Sequence, residues 1–516
     1  MSKLAISLGA VALALAGTAG TADAFCGFYV SGSGEKLAAD ATQVVLMRQG
    51  TRTVLSMQND YKGPLADFAM VVPVPVVLKE SEVKTLPRHV IANVDSLGSP
   101  RLVEYWEQNP CPVPRPDRDE SSDMSMAPSA AGRGMSEERE LRKSTVKIEA
   151  QFQVGEYKIL ILSAKEATGL EMWLRDNGYQ IPAGAEPLLR PYVEAGSKFF
   201  VAKVDPKKVT FEGNRAVLSP LRFHYDSDEF ALPIRLGMAN STGKQDLIVN
   251  IISPDKRYEV ANYPNVTIPT NFDVKDAVRT RFGEFYAALF DKTLEKNPRA
   301  VVTEYAWTAQ PQLKCDPCPP QVPADADMFT LGGDVLGGQI AQGYYVLTRL
   351  HARYGKTDMT DDLRFREAAP ISGGRENWRG KGLEYGAVPS SQNFFQARYA
   401  IRHWWTGAIT CKSPQRGVWG GPPDGGAQNT IAASKLAYVP RGQLALPTLI
   451  QRDLWEIGVK KARRAPRPAP APSPSRGGGG GGFATPPGPR AMSFGFGALA
   501  GLALLGLSRV VGRKRS

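Results

Sequence analysis

Alternating segments rich in β-branched and aromatic residues constrain the fold of this chain more than any other feature. They occupy residues 44–61, 146–162, 198–204 and 246–252. A period of two places successive side chains on opposite faces of a strand, so these segments are typical of β-strands with a buried face. Frequent glycine and proline residues between them indicate turns. We therefore predict β-rich regions at 25–113 and 301–459 and a mixed α+β region at 141–300.

Two helices interrupt this β pattern. The first follows a capping-box spacing at 163–166 and ends at Asn177-Gly178. The second extends from about Asp273 to Asn297, because its apolar residues recur at helical spacing and a proline follows it. The predicted fold class is therefore mainly β with two prominent helices (α+β), an ectodomain of several subdomains.

Three stretches share a pattern of strand, tyrosine, polar turn and strand. They lie at 55–75, 218–237 and 347–367, with the tyrosines at Tyr61, Tyr225 and Tyr354. The pattern predicts three related β-hairpins, although independent hairpins with similar turn residues explain it nearly as well.

The first 24 residues have the pattern of a secretory signal peptide. Lys3 precedes the apolar run 4–17, and residues 22–24 form an A-x-A cleavage site. Phe25 is too bulky for the position before a lipidated cysteine, so we expect no lipid on Cys26. This pattern predicts export, with the main domain outside the cytoplasm.

The C-terminal end has the pattern of a membrane anchor. Residues 491–508 carry no charge and would span roughly 27 Å as a helix, about the thickness of a bilayer core. Four cations follow them, so we predict a transmembrane helix at 491–511 and a basic cytoplasmic tail at 512–516. A buried core helix is the alternative. Retention of the anchor is favoured over its removal as a sorting tag.

Two segments have compositions typical of disorder. Residues 114–140 are polar and charged, and they interrupt the folded region as a predicted insertion. Residues 461–490 combine a proline-rich sequence with six consecutive glycines, so they are predicted to link the folded region to the anchor.

The positive charge of the chain is concentrated near its C-terminus. The formal net charge is +12, and residues 460–516 hold eleven Lys and Arg residues but no Asp or Glu. The region before residue 460 is therefore nearly neutral, which argues against nucleic acid as a partner.

Five cysteines lie in the part that is expected to be exported: Cys26, Cys111, Cys315, Cys318 and Cys411. An oxidising compartment favours pairing, and the odd count leaves at least one cysteine free or joined to another chain. The favoured pattern joins Cys26 to Cys111, and Cys411 to Cys315 or Cys318. The alternative closes Cys315–Cys318 locally and leaves Cys411 free.

The Cys315-x-x-Cys318 spacing also occurs in redox and metal sites. A redox pair has its first sulfur at a helix N-terminus, which lowers the thiol pKa, but Pro319 and Pro320 favour an extended turn here. A zinc site would need a second cysteine pair or paired histidines. A structural disulfide is therefore favoured over thiol redox chemistry and over metal binding.

Motifs of the common enzyme classes are lacking from the sequence, which contains no G-x-S-x-G, H-E-x-x-H or P-loop motif. His224 and His351 lie next to Arg222 and Arg353, where proton transfer is conceivable. Partly buried structural histidines are the favoured interpretation. We expect no cofactor and no metal.

Tryptophans cluster between residues 398 and 423. Trp404, Trp405 and Trp419 lie there beside Cys411 and glycine-rich segments. Exposed tryptophans near such segments are common in carbohydrate-binding surfaces, whereas a buried aromatic cluster fixed by a disulfide is equally natural. Core packing is favoured, and a ligand surface is the competing interpretation.

Six blocks of sequence occur in an order that a known family shares. They are FAMVVPVP (68–75), MWLRDNGYQIP (172–182), PYVEAGSKFFVAKV (191–204), LRFHYDSDEFALPIRLG (221–237), LTRLHARYG (347–355) and RYAIRHWWTGAITC (398–411). They resemble the bacterial family called domain of unknown function 2330, over about residues 26–420. The resemblance implies an exported, envelope-associated protein and carries no catalytic residues. The C-terminal end also resembles bacterial sorting tails, without the cysteine that some of them carry.

These features predict an exported, membrane-anchored envelope or surface protein. Its favoured role is binding or structural and non-enzymatic. The membrane is the partner of the C-terminal helix, and an envelope polymer or a protein is the expected ligand. The alternative is an envelope enzyme that uses thiol redox chemistry at Cys315 and Cys318, or one that carries out hydrolysis near His224 and His351.

Overall fold

The computed structural model describes most of the chain between residues 28 and 463. The described residues are 28–31, 38–62, 68–111, 146–179, 181, 185–212, 215–240, 243–355, 357–377, 382–426, 429–433 and 439–463. Outside them lie the predicted signal peptide (1–24), Cys26, the insertion (114–140), nearly all of the linker (461–490), the transmembrane helix (491–511) and the basic tail (512–516). No helix within the described ranges has the length and apolarity needed to cross a bilayer.

The described residues form strands of 2 to 12 residues and a smaller number of helices. The strands are β1 (Phe28–Ser31), β2 (Ala38–Gln49), β3 (Arg52–Lys62), β4 (Phe68–Val74), β5 (Val83–Thr85), β6 (Arg101–Glu107), β7 (Val146–Val154), β8 (Tyr157–Ala164), β9 (Lys198–Val204), β10 (Thr210–Glu212), β11 (Arg215–Val217), β12 (Leu221–Asp226), β13 (Ala231–Leu232), β14 (Gln245–Ser253), β15 (Arg257–Val260), β16 (Asn265–Thr267), β17 (Phe272–Asp273), β18 (Val301–Ala309), β19 (Tyr345–Tyr354), β20 (Leu363–Ala368), β21 (Ile371–Gly373), β22 (Glu376–Asn377), β23 (Gly382–Leu383), β24 (Val388–Pro389), β25 (Phe394–Gln396), β26 (Arg398–His403), β27 (Trp419–Gly420) and β28 (Thr430–Ala432). The helices are α1 (Arg88–Gly98), α2 (Ala167–Asp176), α3 (Glu186–Glu194), α4 (Gly237–Asn240), α5 (Phe282–Lys296), α6 (Asp325–Met328), α7 (Asp334–Leu336) and α8 (Gly338–Ala341). Short 3-10 turns lie at Glu80–Glu82, Pro206–Lys208, Asp276–Arg281, Leu446–Thr448 and Trp455–Ile457, and a π turn lies at Phe329–Gly333.

A large central sheet organises the structure. Its strands follow the order β10-β11-β3-β2-β14-β19-β18-β25-β21-β24, and β12, β5 and β16 pair beside this path. Both faces of the sheet are covered: Val44 and Leu46 pack into one core, whereas Val45 and Met47 pack into the core on the opposite face. The two-residue period of the sequence therefore distributes apolar side chains to both sides, as a buried central strand requires.

Two further sheets flank this one. The first has the order β1-β4-β9-β8-β7, and helices α2 and α3 cover one of its faces. The other has the order β17-β26-β6-β27, with β28 also paired to β6. Helix α5 packs between this third sheet and the central one, because Phe285 and Tyr286 share a core with Tyr399 of β26 and Val302 of β18.

The prediction of a mainly β fold with few helices is confirmed, and details of both predicted helices need correction. Helix α2 begins after Glu166, and the proposed capping box is wrong because Ser163 lies in β8 and donates its hydroxyl to Glu149 at 2.6 Å. The second helix begins later than predicted, since a 3-10 turn at Asp276–Arg281 precedes α5. Helices α1 and α3 were not predicted.

The prediction of three β-hairpins is wrong. In each stretch the two strands belong to different pairings: β3 pairs with β2, whereas β4 pairs with β1 and β9. Likewise β12 pairs with β3 while β13 pairs with β20, and β19 pairs with β14 and β18. The two strands of each stretch belong to different sheets.

Candidate functional site

Strands β6 and β26 bring the predicted tryptophans to one edge of the third sheet. The two strands are parallel neighbours, with Trp106 opposite His403 near their carboxyl ends. Because parallel strands end at the same edge, the chain leaving β26 starts beside the end of β6. Residues 404–418 then cross to β27, which is antiparallel to β6 and places Trp419 opposite Glu107.

Glu107, the last residue of β6, fixes both ends of the 404–418 loop. Its buried carboxylate accepts hydrogen bonds from the backbone N–H groups of Trp405 at 3.0 Å and Gly417 at 2.8 Å. The guanidinium of Arg416 pairs with the same carboxylate at 3.0 Å. A buried carboxylate is stable only when donors and a cation surround it, so this residue holds the loop in one arrangement.

A disulfide fixes the middle of the same loop. Cys111 and Cys411 are bonded, with their Cα atoms 5.6 Å apart and a sequence separation of 300. Backbone hydrogen bonds run on both sides of this bond, from Gln108 to Val418 and from Gln415 to the carbonyl of residue 110, each at 2.8 Å. The loop is therefore attached to the segment after β6 at its middle and near its C-terminal end.

This bond corrects the favoured disulfide pattern. Cys111 does not pair with Cys26, and Cys411 does not pair with Cys315 or Cys318. The Cys315–Cys318 bond does close locally, as the alternative pattern had it, but Cys411 is not free. The physical reason is the parallel pairing of β6 with β26, which brings together two cysteines that no sequence spacing connects.

Large apolar side chains are exposed on this loop and beside it. Trp404 is 59% exposed and contacts the half-buried Trp419 edge to face, with 4.9 Å between the ring centroids. Ile409 and Val418 are exposed on the same loop. We call these four residues the tryptophan surface. The favoured assignment of the tryptophans to a buried core is thus wrong for Trp404.

Trp405, the next residue, is only partly exposed. Its indole Nε1 is buried without a hydrogen-bond partner in the described part of the chain. Gly407 approaches the same ring so closely that a Cβ at this position would lie 2.7 Å from Cζ2 of Trp405. Residue 407 therefore needs to be glycine for the loop to close over Trp405.

Cationic side chains lie over the rings of the tryptophan surface. The guanidinium of Arg402 is 4.6 Å from the centroid of Trp419, and that of Arg416 is 5.9 Å from the centroid of Trp404. Both cations are also paired with carboxylates, since Arg402 contacts Asp273 at 2.9 Å and Arg416 contacts Glu107. These contacts hold the rings at fixed angles and give the surface a polar rim.

A polar cluster supports the surface from within. The ring of His403 stacks on Trp106 at 4.8 Å, and its Nε2 atom lies 2.7 Å from Glu104. Burial alone would raise the pKa of Glu104, but hydrogen bonds from Arg279, His403 and Asn429 outweigh burial and hold the pKa below its ordinary value. Glu104 is therefore a saturated, ionised acceptor that positions its neighbours.

The two histidines that sequence analysis linked to proton transfer lie far apart in the central sheet. Strands β3, β2 and β14 separate β12, which carries His224, from β19, which carries His351. His224 is half-buried, and burial lowers its pKa. The neighbouring Arg222 pairs with Asp334 at 2.7 Å. The structure therefore does not bring these histidines into one site.

His351 belongs to a buried network of charges. Its Nδ1 atom is 2.7 Å from Glu304 and its Nε2 atom is 3.0 Å from Asp246, while its ring stacks on Phe290 at 3.9 Å. Arg353, the other residue named from sequence, pairs with the same Asp246. Because His351 is completely buried, this network serves the fold rather than a substrate.

A cavity of about 450 Å³ is the main alternative location for a ligand. Three of the polar side chains that line it, Asn265, Thr293 and Asn297, already donate hydrogen bonds to backbone carbonyls nearby. The described ranges contain no cluster of His, Cys, Asp and Glu that could hold a metal ion. The tryptophan surface is therefore the better candidate site.

Sequence analysis missed the residues that build this site around the tryptophans, above all Glu107, Arg402 and Arg416. The only signal was the clustering of aromatic, cysteine and glycine residues at 398–423. A charged residue at the end of a strand resembles an ordinary solvent-facing position, and only the loop donors explain the burial of Glu107.

These features define a mainly β protein with two disulfides among its described residues and an exposed tryptophan, Trp404, packed against Trp419 at the edge of a parallel strand pair. The chain belongs to the family described as "Uncharacterized protein conserved in bacteria (DUF2330)", whose model matches residues 20–366. The block at 398–411 that we associated with this family lies beyond the matched residues. No curated protein matches the chain, and no solved structure does.

Proposed function

We propose that this chain is an exported envelope protein that is held in the membrane by residues 491–511, and that its tryptophan surface binds a carbohydrate polymer of the envelope without chemical turnover. The observation that carries this proposal is the exposure of Trp404 beside Trp419 on a rigidly held loop. Clustered apolar side chains with a polar rim are typical of interaction sites.

Indole rings suit the flat apolar faces of sugar rings because they offer a large rigid area at low conformational cost. The loop that carries them is already fixed by Glu107 and by the Cys111–Cys411 bond. Binding therefore loses little loop entropy, and a ligand keeps most of the contact energy.

Export has separate support. The two disulfides are typical of proteins that fold in oxidising compartments, as the A-x-A pattern at 22–24 would require. The uncharged stretch at 491–508 and the cations after it favour an anchor with the folded region outside the cytoplasm.

Binding of the full-length chain in detergent to an array of bacterial envelope glycans tests the proposal. We expect Trp404→Ala and Trp419→Ala each to weaken binding at least tenfold, about 1.4 kcal/mol. Trp455→Ala is the matched control, because Trp455 is 67% exposed and lies outside the tryptophan surface. Binding that survives both surface substitutions, or that falls equally in the control, would contradict the proposed site.

A further inference from the structure

The two cysteines of the turn at Cys315–Cys318 differ in exposure. Cys315 is 5% exposed and packs in the core beside the central sheet, whereas Cys318 is exposed. Disulfide exchange requires a thiolate to reach one of the two sulfur atoms. An external thiolate can therefore attack Cys318, and Cys315 is the sulfur that leaves.

The turn is held in place by contacts other than its own disulfide. Arg101 of β6 donates a hydrogen bond to the carbonyl of Pro317 at 2.6 Å, and the amide of Gln396 donates to the carbonyl of Asp316. Lys314 pairs with Asp325 at 3.0 Å. Opening the bond between the two sulfurs therefore leaves the turn attached to the sheet.

The two disulfides also differ in how much chain they close. The Cys315–Cys318 bond spans a sequence separation of 3, whereas the Cys111–Cys411 bond spans 300. In the chain-entropy model the stabilisation by a disulfide grows with the length of the closed loop. The short bond therefore contributes less to folding than the long bond.

A buried cation contacts the turn at the carbonyl of Pro317, between the two cysteines. Arg101 is fully buried and sits over the ring of Tyr305, and it forms no ion pair with a carboxylate among the residues that the structure describes. Its Nε atom has no hydrogen-bond partner either. Burial lowers the pKa of this guanidinium. The neighbouring cation Arg398 lowers the pKa as well, whereas the exposed carboxylate of Asp316 raises it. A cation beside a cysteine favours the thiolate form.

We propose that Cys315–Cys318 is a reversible redox pair that exchanges with an external dithiol, whereas Cys111–Cys411 is a structural bond. A thiolate of the dithiol attacks Sγ of Cys318, the bond between the two sulfurs breaks, and Cys315 leaves as a thiolate beside Arg101. The second thiol of the dithiol then attacks its own sulfur in the mixed disulfide and releases Cys318. Two electrons and two protons pass to the pair, and the dithiol becomes a disulfide.

This arrangement differs from a pair at a helix N-terminus. Pro319 is buried after Cys318, and helix α6 begins only at Asp325. The cation that contacts the turn, through the carbonyl of Pro317, is Arg101, and its charge is the one that favours the leaving thiolate in this proposal. Arg101 is thus a positioning residue for the exchange, and the inference does not depend on the proposed carbohydrate binding.

Redox titration of the full-length chain in detergent with dithiothreitol, followed by alkylation and peptide mass analysis, tests this proposal. We expect Cys315–Cys318 to be half-reduced at a ratio of reduced to oxidised dithiothreitol at least tenfold lower than Cys111–Cys411 requires, with the circular dichroism unchanged. Reduction of both bonds at one ratio, or reduction only with loss of structure, would overturn the proposal.

Single-cysteine variants test which sulfur is attacked. The free Cys318 of Cys315→Ala should react with an aromatic disulfide reagent at least tenfold faster than the free Cys315 of Cys318→Ala. In Arg101→Gln, half-reduction of Cys315–Cys318 should require a higher ratio of reduced to oxidised dithiothreitol. In Arg101→Lys, which keeps the positive charge, the ratio should return toward that of the unaltered chain. Equal rates for the two cysteines would contradict the assigned attack, and if Arg101→Gln does not fold, the titration of the unaltered chain still decides.

Discussion

Replacing Glu304 with glutamine tests whether the buried charges around His351 stabilise the fold. Glu304 lies in β18 and is completely buried. Its carboxylate accepts hydrogen bonds from the hydroxyl of Tyr286 at 2.6 Å, from Nε of Arg349 at 2.7 Å and from Nδ1 of His351 at 2.7 Å. Glutamine has nearly the same shape, so the substitution removes the charge with little change in packing.

The structure sets the size of the expected effect. Burial alone would raise the pKa of Glu304, but His351 and Arg349 outweigh burial and lower it from 4.5 to about 2. That difference corresponds to about 3 kcal/mol in favour of the charged form. In proteins generally, removing one partner of a buried ion pair costs about 3–5 kcal/mol of folding stability. Because Arg349 keeps Asp95 as a partner, we expect the lower value, about 3 kcal/mol.

Urea denaturation at pH 7 measures this loss, and Glu171→Gln is the matched control. Glu171 pairs with Arg175 on the outside of α2, where an ion pair contributes little, so its loss should cost no more than about 0.5 kcal/mol. Since the folded pKa of Glu304 lies below its unfolded value, its contribution is present above about pH 4.5 and is lost as pH falls toward 2. The Glu304→Gln chain should lack that part of the acid dependence. A cost below about 1 kcal/mol with an unchanged acid profile would refute the argument.

Three further predictions address the other end of the pH range, the loop and the anchor. Burial alone would lower the pKa of His351, but its carboxylate neighbours raise it above 6.5. Its stabilisation is therefore present below pH 6.5 and lost as pH rises through the folded pKa, so urea midpoints should fall as pH is raised from 6.5 and should change less in His351→Gln. Gly407→Ala should destabilise the loop by about 1–3 kcal/mol because its Cβ would meet the ring of Trp405, and faster proteolysis of residues 404–418 would report this. Deleting residues 491–516 should move the chain from the membrane to the soluble fraction with its circular dichroism unchanged, and retention in the membrane would contradict the proposed anchor.

The parts of the fold that depend on local periodicity could be predicted from the sequence. The alternation at residues 44–61 predicts the strands there because Val44 and Val45 must face opposite sides of one strand. Helix α2 could be predicted from its own local period, because Leu170 and Leu174 recur at helical spacing on its buried side. A period is a property of a few neighbouring residues, so no knowledge of distant partners is needed.

Helices with weak or contrary local signals could not be predicted. Helix α1 has no side-chain cap at Pro87 and no acidic residue in its first turn, so the usual start signals are lacking. Helix α3 contains Pro187 near its start and Pro191 inside it, and prolines favour a loop in a sequence of this kind. Tertiary packing of Leu189 and Tyr192 against the flanking sheet overrides that preference.

The candidate site could not be predicted because it exists only through the pairing of distant segments. Its first half, β6 with Glu107 and Cys111, lies within the residues that the family model matches, whereas Trp404 and Trp419 lie beyond residue 366. The loop at 404–418 supplies the two backbone donors and the cation of the buried Glu107 carboxylate, and burial without them would cost several kcal/mol. The buried state of Glu107 therefore requires the loop. The proposed binding role depends on the segment that contains these tryptophans. Family members are therefore expected to share this role only where that segment is present.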